Sequence, residues 1–118
     1  MVKYYLGDFM LPKYQNELKI IVNTLAATGL VSKLILFGSL ARGDQTVDSD
    51  IDLCVLTPIT DRRPLEISRE LRNKLNGKRT LPLDILTFNQ VKFYADVERK
   101  TSFAHLIEKE GKVLYEAR

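Results

Sequence analysis

Two apolar runs, Lys33 to Phe37 and Ile51 to Leu56, flank a polar stretch that opens with Gly38-Ser39 and closes with Asp50-Ile51-Asp52. Short apolar runs bounded by turn-forming residues read as buried strands rather than helices. Beyond its first two positions the second run is apolar on both faces, which predicts a central place in a sheet covered on at least one side by helices. The acidic opening of that strand is the anomaly, because aspartate is disfavoured in strands. Carboxylates two apart on a strand project to the same face, roughly 6.5–7 Å from one another. Bringing a second carboxylate beside the first is costly unless a cation or hydrogen-bond donors compensate.

The remaining chain supplies what such a sheet needs. Pro12 stands where a first helical turn would begin, and Leu18, Ile21, Val22, Leu25 and Ala26 recur at helical spacing up to a stop at Gly29. Arg42 to Ser49 reads as a loop. A second helix is predicted over Leu65 to Leu75, with Leu65, Ile67, Leu71 and Leu75 as its apolar face, ending near Asn76-Gly77. Leu81 to Phe88 reads as a third strand, apolar but for Asp84, whose neighbours Leu83 and Ile85 argue for its burial. Asn89 caps a helix from Gln90, with Val91, Tyr94, Ala95 and Val97 turned inward. A helical piece from Ser102 to Lys109 buries Phe103, Leu106 and Ile107, and Lys112 to Tyr115 reads as a last strand. Tyr4, Tyr5 and Phe9 precede the first helix and could pack on the domain or on a partner. The expected fold is α+β: a mixed sheet of about four strands with helices packed on it, in a single domain over residues 1–118.

Composition narrows the chemistry. With 45% hydrophobic and 28% charged residues, the chain reads as a globular intracellular protein, expected in the cytoplasm, with no membrane partner. No apolar run approaches the roughly 20 residues of a membrane-spanning helix. One cysteine and one histidine exclude a Cys/His zinc site and a disulfide framework, so any metal is expected to have oxygen ligands. Cys54 is read as core, and His105 as structural or exposed. Asp61 to Thr80 carries seven basic residues against three acidic ones, read as a solvated helix face that could also meet phosphate or an acidic partner.

Three acidic residues at strand positions, Asp50, Asp52 and Asp84, call for a common explanation, and oxygen-ligated magnesium is the simplest. Two carboxylates can share divalent ions about 3.5–4 Å apart. The bland alternative has Asp50 and Asp84 paired with arginines or backbone amides as caps. A phosphatase of the haloacid-dehalogenase type is set aside, because there the apolar strand precedes the paired aspartates and here it follows them. Gly38 lets the backbone approach a ligand and Ser39 adds a hydroxyl, although Gly-Ser turns are common and no Walker lysine follows. Arg42 could reach a phosphate or equally pair with a carboxylate or carbonyl. Gly43 suits a positive backbone dihedral.

The run GSLARGDQTVDSDIDL, from Gly38 to Leu53, resembles the minimal nucleotidyltransferase (MNT) family within the DNA polymerase β-like nucleotidyltransferase superfamily. Gly-Ser-x-Ala-Arg-Gly and Ser-Asp-Ile-Asp-Leu stand at that family's spacing, and PLDILTF supplies the third aspartate. The resemblance extends over nearly the whole chain. It implies transfer of a nucleoside monophosphate from a triphosphate, ATP being favoured as substrate, with two magnesium ions as cofactors. Asp50 and Asp52 would bridge both ions, Asp84 would complete the one nearer the attacking hydroxyl and help to deprotonate it, and Gly38 and Ser39 would grip the triphosphate, with Arg42 a further candidate contact.

Members resembling this chain are often antitoxins paired with a helical HEPN-domain toxin, and several adenylylate a tyrosine of that partner. The expected function is therefore protein adenylylation of a HEPN toxin, in a homo- or hetero-oligomer, with nucleic acid not a direct substrate. A non-catalytic antitoxin acting by occlusion and a small-molecule nucleotidyltransferase are the competing readings. Completeness of the acidic trio favours catalysis over the first, and the short chain argues against the second.

Overall fold

The computed structural model describes residues 12–44 and 49–117; Tyr4, Tyr5 and Phe9 lie outside them. The elements are α1 (Pro12–Ala26), β1 (Lys33–Phe37), α2 (Ser39–Arg42), β2 (Ile51–Thr57), α3 (Pro64–Lys74), β3 (Leu83–Asn89), α4 (Gln90–Val97), α5 (Phe103–Glu110) and β4 (Lys112–Glu116). One mixed sheet has the order β3-β2-β1-β4. β1 pairs antiparallel with both β2 and β4, while β2 and β3, joined through α3, run parallel. β2 is therefore interior, as its doubly apolar pattern predicts.

Strand alternation divides the apolar residues between two layers. Leu34 and Leu36 of β1, Ile51, Leu53 and Val55 of β2, and Leu83 and Ile85 of β3 share one cluster with Leu18, Ile21, Val22 and Leu25 of α1 and Ile67 and Leu71 of α3. On the opposite face Ile35, Cys54 and Leu56 meet Phe93 of α4 and Ala104 and Ile107 of α5 in a smaller cluster. The Ser68 and Thr87 hydroxyls, 2.6 Å apart, join α3 to β3 on the first face. The Asn89 side chain accepts from the amides of Val91 and Lys92, which fixes the start of α4 as its sequence position suggests.

Several apolar side chains point the other way from their sequence expectation. Phe93 is the buried anchor of α4, packed on Phe88 at a centroid distance of 5.6 Å, whereas Val91, Tyr94 and Ala95 are exposed. The large ring takes the inward position, and Val91, two residues earlier and so roughly 200° around the helix, must face out. In α5 the inward pair is Ala104 and Ile107, which leaves Phe103 and Leu106 exposed. Leu65, in the first turn of α3, is exposed as well. β3 begins at Leu83 rather than Leu81, because Pro82 interrupts the ladder. Where a plain turn followed β1, one helical turn stands, α2.

Candidate active site

The ends of three strands meet at one edge of the molecule. β1 finishes at Phe37 and hands over to Gly38, β2 begins just after Asp50, and β3 begins one residue before Asp84. In the parallel β2–β3 ladder Asp52 is the register partner of Asp84. In the antiparallel ladder its partner is Phe37. Register partners on neighbouring strands stand side by side, about 4.8 Å apart, on the same face. That face is the one carrying α4 and α5, whose cluster lies over Ile35, Cys54 and Leu56 and reaches Phe37 beside Asp52.

Asp84 is exposed, contrary to the burial its neighbours suggest. Leu83 and Ile85 are indeed buried, toward α1 and α3, and alternation therefore turns Asp84 to the opposite, open side. Asp50 is exposed and Asp52 half-buried. The Asp52 carboxyl is held above the usual carboxylate range by its partial burial first, then by the charges of Asp84 and Asp50, with Arg42 opposing the rise. Asp52 thus feels the charge of both other carboxylates, although among the described residues no group of three or more His, Cys, Asp or Glu side chains is drawn together as a metal-holding cluster.

Gly38 explains itself. Its φ is +75°, a conformation that L side chains rarely adopt, and a Cβ there would collide with the carboxylate of Asp52. The glycine is the surface against which Asp52 lies. Ser39 opens α2, and its carbonyl accepts from the amides of Gly43 at 3.0 Å and Asp44 at 3.1 Å, so the turn closes on itself. Gly43 takes the left-handed φ of +81° that its place in the sequence suggests. Arg42 ends α2 with its Nε 3.2 Å from Asp44 Oδ2 and its Nη1 3.5 Å from Glu110 Oε2. Of the two roles open to it in the sequence, carboxylate pairing is the one seen.

A hard, oxygen-seeking cation fits this donor set. Asp52 feels like charge from two other carboxylates, opposed by the exposed Arg42, and a divalent ion would offset it further. The remaining soft ligands are engaged elsewhere: burial pushes the Cys54 thiol up to about 12, and His105 Nδ1 lies 2.9 Å from the Val97 carbonyl. The basic stretch 61–80 is largely spent on structure. Arg62 pairs with Glu70 at 2.8 Å and Arg63 with Glu66 at 2.9 Å, while Arg72 and Arg79 donate to the carbonyls of Leu83 and Leu81.

Two polar residues absent from the sequence reading stand behind the carboxylates. Tyr14 and Glu17 of α1 are 1% and 5% exposed, and each reaches a segment that leads into an aspartate. Their signal was present as two polar side chains three apart on the apolar side of an amphipathic helix. Phe37, Asp52's ladder partner, packs edge-on against Phe103 at 5.7 Å.

Residues 16–112 match the family described as nucleotidyltransferase domain. The chain belongs to that family. It is 31% identical over 103 residues to a protein of Methanocaldococcus jannaschii that bears the name putative protein adenylyltransferase, a match spanning 86% of this chain and 97% of that one. A crystal structure of a Sulfolobus solfataricus protein, likewise named as a nucleotidyltransferase, superposes with a TM-score of 0.62 at 17% identity, covering 95% of this chain and 91% of the other. A toxin–antitoxin structure named MntA-HpeT superposes with a TM-score of 0.50 at 22% identity, covering 88% of this chain and 73% of that one. These likenesses agree with the mixed sheet and helices described above. The nucleotidyltransferase's Gly-Ser turn and its Asp-x-Asp strand thus occupy adjacent strand ends, with the third aspartate beside them. Among the described residues no helix is long and apolar enough to cross a membrane.

Proposed function

We propose that this nucleotidyltransferase moves AMP from ATP to a protein hydroxyl, a tyrosine of a HEPN-domain toxin, and so acts as that toxin's antitoxin. The observation that carries the reading is the side-by-side register of Asp52 and Asp84 with Gly38 seated against Asp52. The name of the Methanocaldococcus relative supports a protein acceptor, and the toxin–antitoxin neighbour supports the setting.

In this reading Asp50, Asp52 and Asp84 hold two magnesium ions, and Gly38 and Ser39 receive the triphosphate. Bound magnesium would neutralise charge on the entering and leaving oxygens of an in-line displacement. The acceptor oxygen forms a bond to the α-phosphorus as the bond to the bridging oxygen breaks, and pyrophosphate departs. Asp84, which is open to solvent, would take the hydroxyl proton. The Asp52 carboxyl, held above the usual range by burial and then by the charges of Asp84 and Asp50, would ionise more readily with a cation held beside it.

The test is transfer of label from α-labelled ATP with magnesium to a HEPN protein encoded beside this one, using the wild-type chain and the Asp50→Asn/Asp52→Asn double variant. Label on a tyrosine of the partner, lost in the variant, is the expected result. Neutralisation of the toxin by both chains without label would overturn catalysis in favour of occlusion.

A further inference from the structure

The geometry points to α1 as the clamp that sets the spacing of the acidic trio, with Tyr14 and Glu17 as its positioning residues; this deepens the reading of Asp50, Asp52 and Asp84 as metal ligands and rests on it. The Tyr14 hydroxyl donates to the carbonyl of Ser49, the residue directly before Asp50, at 2.9 Å. One turn further along α1, Glu17 Oε2 accepts from the backbone amides of Thr80 at 2.7 Å and Leu81 at 2.5 Å. That segment enters β3 and Asp84. The two tethered segments are also joined to each other, since the Ile51 amide donates to the Pro82 carbonyl at 3.0 Å. Arg72 Nη1 adds a fourth tie, to the Leu83 carbonyl at 3.3 Å.

Both α1 side chains are buried, so neither bond is an incidental surface contact. A buried carboxylate that accepts two amides is held by charge-assisted bonds, and a buried phenol needs a partner for its hydroxyl. The sheet ladder fixes Asp52 against Asp84, whereas Asp50 lies just before the first ladder residue, between Ser49, held by Tyr14, and Ile51, whose amide is bonded to the Pro82 carbonyl. The clamp therefore acts most on the approach to Asp50 and on the entry of β3, the segments just ahead of the β2–β3 ladder. Sites of this kind require ligands held to within about 0.5 Å, and a displacement of about 1 Å can cost on the order of a hundredfold.

The experiment compares Tyr14→Phe and Glu17→Gln with Ile21→Val, a control in the same helix and core cluster whose side chain has no polar atom to bond either segment. Divalent affinity is read without catalysis, from the magnesium-dependent rise of the thermal midpoint with a non-hydrolysable ATP analogue. Backbone exchange is read at residues 49–52 and 80–84. The expected result is a loss of magnesium affinity of about tenfold and faster exchange in the segment each side chain holds, with the control close to wild type at a comparable fall in metal-free midpoint. Tyr14→Phe, which keeps ring and volume, remains informative if Glu17→Gln does not fold. Wild-type magnesium dependence with unchanged affinity in Tyr14→Phe, or an equal loss in Ile21→Val, overturns the clamp alone. No magnesium response in the wild-type chain overturns both the site and the clamp.

Discussion

The two faces of the sheet are built from the same strands and have opposite characters. Toward α1 and α3 every large strand residue named in the cluster is sealed, and even the polar side chains there, Tyr14, Glu17 and Ser68, are buried with partners. Toward α4 and α5 the cluster is small, the strand ends beside it carry Asp52 and Asp84, and Leu86 in the middle of β3 is 39% exposed. The parity of a β-strand makes this economical: in β2, Ile51, Leu53 and Val55 serve the core, while Asp52 turns to the opposite face, where the proposed chemistry lies. Stability and activity should then separate between adjacent residues. The largest effect tests that on the active side. Asp52→Asn is expected to lower nucleotide transfer by roughly a thousandfold. Its stability should move the other way. Because the folded-state value for Asp52 is raised, the contribution of its protonated form is fully present at low pH and is lost as pH rises through that raised value. In EDTA at neutral pH the Asn variant, which never takes up the charge, should melt at or above the wild-type midpoint, and the gap should close on acidification. A variant that melts well below wild type at neutral pH would break the separation of the faces.

The next largest effect tests the sealed side, one residue further along. Leu53→Ala removes a side chain with no exposed surface from the larger cluster and should cost about 2–5 kcal/mol in denaturant unfolding. Transfer per folded molecule, measured well below the midpoint, should stay within a few-fold of wild type. A specific loss of activity as large as that of Asp52→Asn would show that the two layers are coupled through the strand.

How much of this was legible in the sequence follows the same division. The strands, the long helices and the register-critical aspartates could be read because strand alternation, helical spacing and anomalous charge are local signals. Asp84 suggests burial in the sequence through its apolar neighbours, yet it is exposed, because alternate residues on a strand face opposite ways. The inward faces of α4 and α5 are not legible in the sequence, because each helix has eight residues and several apolar candidates, so which one anchors it is decided by the sheet beneath, as with Phe93 on Phe88. Tyr14, Glu17 and Glu110 were not legible as parts of the site, since their partners lie 35, 63 and 68 positions away.

A smaller effect probes the border between the faces, at Arg42. Its guanidinium is exposed and bound to Asp44 and Glu110, yet its charge still lowers the Asp52 value. Arg42→Ala should reduce nucleotide affinity by about threefold at low ionic strength and by less at 0.5 M salt, because an exposed charge acts through a screened field. Titration calorimetry with an ATP analogue at the two salt concentrations measures this. A salt-independent loss of a hundredfold would instead mean that Arg42 leaves its carboxylates and contacts the triphosphate directly.

The smallest expected change concerns α5, where the contrast between sealed and open surfaces narrows to two consecutive residues. Ile107 is 1% exposed and packs on the sheet, whereas Leu106 is 44% exposed. Ile107→Ala should cost roughly 2–4 kcal/mol, as a buried truncation does. Leu106→Ser removes an apolar side chain of the same size from the helix surface, but its transfer from water was never completed in the isolated chain. Only the lower helix propensity of serine and a partial loss of contact remain, so the change should be no more than about 0.5 kcal/mol in chemical denaturation. The pair is informative because the two substitutions share a helix, a neighbourhood and nearly a position. If Leu106→Ser costs as much as Ile107→Ala in the purified protein, then the α5 face is covered in solution, and a concentration dependence of the midpoint would identify the cover as a second copy of the chain.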